Sequence, residues 1–151
     1  MPGEYRNIYK TARSAAGLTQ EAAAERLGLS VERIRAYETG GRIPPNEAVE
    51  RMVILYNAQH LAYQHLRETN ELYGRIVPTL EDRDLIRTAV VLRDRLARLE
   101  QGRSLDRLTE IAEDDRIDED ERPEFLAIVT ELREIVRGAL ELQLHCPAEE
   151  G

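Results

Sequence analysis

Three kinds of side chain in this sequence invite a chemical reading. The first is the acidic run Glu113–Glu121, whose Asp118-x-x-Glu121 looks like the second half of a calcium loop. Counting back puts Glu110 and Ala112 at the first and third ligand positions and Asp115 where such a loop needs glycine. The run reads instead as an exposed turn, with Asp118 capping the last helix and Glu121 completing the capping arrangement. The second kind is the metal-binding or nucleophilic set. His60 and His65 are five residues apart, not the four that put two ligands on one helical face. His145 and Cys146 are adjacent, and the pair offers no metal set. Ser14, Ser30 and Ser104 have no neighbouring base to activate them. No phosphate-binding glycine loop and no isolated carboxylate pair stands out. No enzyme activity, no metal and no cofactor is expected.

The third kind is arginine. Lys10 is the sole lysine, so almost every positive charge is a planar fork able to bond phosphate, guanine or carboxylate in bidentate fashion. The charge is unevenly placed. Residues 1–57 hold eight basic and seven acidic side chains, whereas residues 58–151 hold thirteen and twenty-two. The net charge of -8 over 151 residues therefore belongs almost wholly to the second part, and the first is near neutral. A lone cysteine excludes an internal disulfide and fits a reducing cytosol. No apolar run approaches the roughly 20 residues of a membrane span, and no signal peptide opens the chain. A cytoplasmic protein is expected. With 5% aromatic and 33% charged residues, the composition suits helices with wide solvated faces.

The block from Leu18 to Gly40 has a physical logic of its own. Two closely crossing helices need a small residue at the crossing, and Ala24 supplies it. The tight turn between them needs a residue free to take positive φ, and Gly28 is placed for it. Ile34 and Tyr37, at i and i+3, anchor the inner face of the second helix. Val31, Glu32, Arg33, Arg35 and Ala36 remain for its outer faces. A helix presented in this way fits a DNA major groove about 12 Å wide.

The elements that must position this block read as helices throughout. A first helix spans 4–16, with Tyr5, Ile8, Tyr9 and Ala12 on one face. Thr19 caps a second helix reaching Leu27, and Ser30 caps a third ending near Glu38. A fourth follows Pro44-Pro45-Asn46 to Tyr56, and a fifth ends near Glu68. Residues 1–69 form the expected DNA-binding domain, and 70–81 a linker. Residues 82–146 form a helical region, followed by a tail over 147–151. In the helical region Leu85, Ile86, Ala89, Leu92, Leu96 and Leu99 lie near heptad spacing, which favours a partner helix. Gly102 breaks this helix, or the helix continues to Ala112. The last helix, with Pro123 in its first turn, carries Phe125, Ile128, Val129, Leu132, Ile135, Val136, Leu140 and Leu144. The fold class is all-α: a five-helix repressor-like domain followed by a long-helix hairpin or small bundle.

Gly17-Leu18-Thr19-Gln20, Ala24, Gly28, Ser30, Ile34 and Tyr37-Glu38-Thr39-Gly40 resemble the helix-turn-helix family of phage repressors and Cro proteins, also called the XRE family, over residues 4–69. The resemblance implies a sequence-specific transcriptional regulator of bacterial or prophage type, commonly a repressor, with double-stranded DNA as partner. It implies roles residue by residue. Thr19 begins the helix in which Gln20 approaches a phosphate or the reading helix. Ser30, Val31, Glu32 and Ala36 face base edges, while Arg33 and Arg35 reach phosphate or guanine. Thr39 and Arg42 lie where the following loop grips the backbone. Arg13 and Glu38 match the family's internal salt bridge. Glu21, Glu25 and Glu32 oppose phosphates, so one copy binds modestly. The second part is accordingly expected to pair two copies through its C-terminal helices. The competing expectation is a protein-interaction module whose acidic region binds a protein partner or mimics nucleic acid.

Overall fold

Side-chain oxygens start the first three helices. Asn7 Oδ1 accepts from the Lys10 N–H at 3.0 Å, Thr19 Oγ1 from Ala22 at 3.1 Å and Ser30 Oγ from Arg33 at 3.2 Å. Each bond satisfies a donor that a helix leaves unpaired in its first turn. The computed structural model describes residues 7–148 and contains no strand among them. The helices are α1 (Ile8–Ala15), α2 (Gln20–Leu27), α3 (Val31–Glu38), α4 (Asn46–Tyr56), α5 (Gln59–Thr69), α6 (Tyr73–Ile76), α7 (Leu85–Gln101), α8 (Ser104–Ile111) and α9 (Arg122–Gln143). The expected start of the first helix at residues 4–6, with Tyr5, lies outside the described residues. Within them the helix begins at Ile8, because Asn7 is held extended as its cap.

The described chain divides into two units. One comprises residues 7–73 together with 146–148, the other residues 74–145. In the first unit α1 to α5 enclose a core that includes Tyr9, Ala23, Ala24, Leu27, Ile34, Tyr37, Met52 and Leu61. Buried polar bonds tie this core together. Asn7 Nδ2 donates to the Tyr37 carbonyl at 2.8 Å, linking the start of α1 to the end of α3. Tyr9 and His65 share a 2.8 Å bond, and the second ring nitrogen of His65 lies 3.0 Å from Asn46 Oδ1. Burial holds the His65 imidazole below its usual pKa, which keeps it neutral in this network. Arg51 of α4 donates to the Leu27 carbonyl at 3.1 Å, closing the C-terminal end of α2.

Residues 70–81 are not featureless. They include the helical turn α6, and the division between units falls after Tyr73. In the second unit α7 and α9 pack together, with α8 against both. Gly138 permits the approach: a Cβ there would stand 3.0 Å from Leu92 Cδ1. The Glu141 carboxylate, 2% exposed, accepts from the Glu81 N–H at 2.8 Å, Arg83 Nη1 at 3.0 Å and Arg137 Nε at 3.1 Å. Ser104 donates to Glu131 at 2.7 Å.

One open alternative is resolved, and two details differ from the sequence pattern. Gly102 does break the long helix, and Arg103, in left-handed conformation at φ 52°, turns the chain into α8. The heptad-like stripe of α7 is only partly inward. Thr88 and Leu99 are buried, while Leu85, Ile86 and Leu96 are 55%, 72% and 48% exposed. Burial on α7 follows the side that meets α9, and part of the apolar spacing falls off that side. The cap of α9 is Glu121 rather than Asp118, without a side-chain bond into the helix. Glu121 instead reaches back to accept from the Asp118 N–H at 3.1 Å, so half of the expected capping arrangement is present.

Candidate nucleic-acid interface

The helix that presents the candidate site is fixed from behind before anything faces outward. Ala24, 3% exposed, lies in the α2–α3 core with Leu27, Ile34 and Tyr37, all buried. Between the two helices Gly28 takes φ 65°, ψ 35°, and its N–H bonds back to the Glu25 carbonyl. A Cβ on Gly28 would meet nothing within 4 Å. The glycine is therefore required by backbone conformation, not by space.

At the far end of α3 one carboxylate collects three partners. Glu38 accepts from Arg13 Nε at 2.5 Å, Arg13 Nη2 at 2.9 Å and Gln20 Nε2 at 2.8 Å. Arg13 also donates to the Leu18 carbonyl at 2.6 Å. The fork geometry is the strong, bidentate kind. Burial by itself would raise the Glu38 pKa; the bonds from Arg13 and Gln20, with the Arg13 charge, outweigh it and hold the carboxyl below its usual value. Burial, followed by the Glu38 charge, pushes the nearby Tyr56 phenol up to about 12. Of the two places expected for Gln20, the side chain takes the reading helix.

The outward side is correspondingly simple. Glu32, Arg33 and Arg35 are exposed, Ala36 is half-buried and Ser30 is exposed at the cap. Val31 is half-buried and packs against the domain core, so only part of it is on offer. Thr19 is exposed and engaged as the cap of α2. Thr39 Oγ1 donates to the Arg35 carbonyl at 2.9 Å, and the Arg42 N–H bonds the Ala36 carbonyl at 3.1 Å. Those bonds fold the loop 39–42 back on the end of α3. Arg33, Arg35 and Arg42 have no side-chain partner among the described residues, whereas Arg13 and Arg51 are both engaged inside the domain. Sequence reasoning missed Asn7, whose cap and bond to Tyr37 fix where α3 ends. Its residue type at a helix start was the available signal.

Residues 10–66 match the family model of the helix-turn-helix domain. This part of the chain is similar to a helix-turn-helix domain, a class of fold that carries DNA-binding regulators. No curated protein and no solved structure gives a significant match to the chain. No helix among the described residues is long and apolar enough to cross a membrane. No group of three or more His, Cys, Asp or Glu among them could hold a metal ion.

Proposed function

We propose that this protein is a sequence-specific DNA-binding transcriptional regulator of the XRE type, acting as a repressor in the cytoplasm. The observation that carries the reading is that Arg33, Arg35 and Arg42 are all exposed, the first two flanking the buried Ile34 on α3. These three guanidinium groups lie on α3 and the loop behind it, without a protein partner among the described residues. A helix locked from behind by Ile34, Tyr37 and the Arg13–Glu38 pair presents its outer face as a rigid body. Such a helix enters the major groove with its N-terminal residues toward the bases. Glu32 accepts from a cytosine amino group, and Ala36 with the exposed part of Val31 meets thymine methyls. Arg33 or Arg35 takes guanine or phosphate. Arg42, Thr39 and Thr19 grip the backbone on either side. The protein binds and does not catalyse.

Glu21, Glu25 and Glu32 are exposed on the same domain and lower the affinity of one copy. We propose that the second unit offsets this by pairing two chains, which read a two-fold-related site. The dimer reading rests on Leu85, Ile86, Leu96, Leu126 and Val136, all half or more exposed apart from Leu96 at 48%. Tethering two modules raises apparent affinity by about 10²- to 10⁴-fold.

The test is a titration of the full chain against a random duplex at several salt concentrations, followed by selection of preferred sites. Binding that falls steeply as salt rises, with Arg35→Ala weakening it and leaving the helix content unchanged, supports the reading. Absence of binding at low salt overturns it and directs attention to the acidic second unit as a protein-binding surface.

A further inference from the structure

Rotation about α3 decides what each of its exposed side chains can meet. Successive helical residues turn by about 100°. Ile34 is buried, and the buried Tyr37 and Glu38 fall about 60° and 40° to either side of it, which fixes the inward direction. Arg33 then lies about 100° to one side of Ile34 and Arg35 about 100° to the other, so the two occupy opposite flanks of the helix. Glu32 and Ala36 each stand about 160° from Ile34 and straddle the outermost line. Glu32 is exposed, whereas Ala36 is half-buried and its carbonyl accepts from the Arg42 N–H at 3.1 Å. Glu32 and Arg35 have the i,i+3 spacing at which Arg103 and Asp106 pair at 2.9 Å, yet no ion pair joins them among the described residues. A free carboxylate therefore stands outermost on α3, with an unpaired guanidinium on each flank.

We propose that α3 reads cytosine through Glu32 and leaves guanine unread, while Arg33 and Arg35 bond phosphates of the two opposite strands; this rests on the DNA-binding reading given above. A major groove has base edges for its floor and one sugar-phosphate strand for each wall. A helix lying in it with Glu32 toward the floor turns its flanks, and so its two arginines, to the walls. Each guanidinium there meets phosphate, the partner its planar fork fits. The carboxylate is repelled by both walls and has no donor of its own. At the floor it can only accept, and the donors on offer are the amino groups of cytosine and adenine. Adenine sets its amino group beside the N7 acceptor, which repels a carboxylate, whereas cytosine presents the amino group alone. The usual contact of arginine with guanine O6 and N7 is absent, because both arginines of the helix are spent on the walls. Affinity and specificity thus come from different residues: the arginines hold any duplex, and Glu32 selects the site.

The test is fluorescence anisotropy of the full chain on a duplex carrying one half-site obtained by selection, with base analogues in place of single atoms. Replacing guanine by 7-deazaguanine removes N7 and should leave the affinity within about twofold, since no arginine uses that atom. Replacing cytosine by N4-methylcytosine puts a methyl group where the amino hydrogen faces the groove and should weaken binding about tenfold. Arg33→Ala and Arg35→Ala alter exposed, unpaired side chains and leave the fold intact. Each should lower the slope of log affinity against log salt by about 0.9 and weaken selected and random duplexes alike. Glu32→Gln should move the selected base from cytosine to adenine, whose N6 and N7 a glutamine amide matches. Binding that 7-deazaguanine weakens about tenfold overturns the proposal, as does an Arg33 or Arg35 variant that keeps the salt slope and loses preference for one base pair. Glu32→Gln with an unchanged selected sequence overturns it too. In all three outcomes DNA is still bound, so the DNA-binding reading survives; absence of binding to any duplex at low salt overturns both.

Discussion

Glu38 is 7% exposed and carries a formal charge, so its place in the domain depends on what surrounds it. Arg13 reaches it from α1, and Gln20 from the first residue of α2. A buried carboxylate of this kind destabilises sharply when its partner is lost, because the remaining charge is stranded. Glu38→Gln should cost about 2–3 kcal/mol. That is below the about 3–5 kcal/mol of a fully enclosed pair, because Arg13 keeps the Leu18 carbonyl. The dependence on pH has a definite sign. The folded carboxyl titrates below its unfolded value of about 4.3. Its contribution is therefore complete above that value and is lost as pH falls through the folded one. His65 also makes the domain less stable in acid: its folded pKa is depressed by burial, so stability declines as pH drops below the unfolded imidazole value of about 6.5. Wild type and Glu38→Gln share that decline. Urea unfolding of both between pH 7 and pH 3 should show the gap between them narrowing only below about pH 4.3. A gap that is constant across the range would remove the ion pair as its cause.

At the scale of the element, what could be read from the chain alone was whatever a residue settles with its near neighbours. Thr19 and Ser30 cap because a hydroxyl beside a helix start finds an N–H three residues on. Gly28 turns because glycine takes φ 65° without the Cβ penalty that most other residues meet there. Ala24, Ile34 and Tyr37 lie inward because helical spacing puts them on one side. The limits have the same origin. Nothing local says that Leu85 and Ile86 stay outside while Thr88 goes in, since that depends on which side of α7 meets α9. The bond from Asn7 to Tyr37 spans thirty residues and follows from the packing of α1 on α3. The candidate reading face was legible, as it is what remains once the anchors are assigned; the half-burial of Val31 was not. The Gly28 turn allows a sharp test. Gly28→Ala adds a methyl that clashes with nothing within 4 Å, so its whole cost is the left-handed backbone, about 1–2 kcal/mol. Gly28→Asn should lose less, because asparagine tolerates that region. Melting temperatures in the order glycine, asparagine, alanine are expected, and equal losses for the two variants would point to a packing cause.

At the scale of the molecule the question is what the acidic helical unit does for a nearly neutral DNA-binding domain. Its interior is well furnished with polar contacts: Glu141 with three donors, Ser104 with Glu131, and Arg95 with the Glu134 carbonyl at 2.7 Å. Its exterior nevertheless keeps large apolar side chains on both long helices, with Leu85 and Ile86 on α7 and Leu126 and Val136 on α9. Single exposed apolar residues are ordinary, but several on one small unit are a feature of association surfaces. On the dimer reading, sedimentation of the full chain returns twice the chain mass of 17.3 kDa. Leu126→Glu and Val136→Glu together then shift it to one chain, because a buried, unpaired carboxylate opposes association. The helix-turn-helix domain has no residue in common with that surface and should keep its fold. DNA affinity for a two-fold site should fall by about 10²-fold or more as the linked second copy is lost. Affinity for a single half-site should not change. A double variant that stays at twice the chain mass, or that loses half-site affinity to the same extent, would show that α7 and α9 serve something other than pairing.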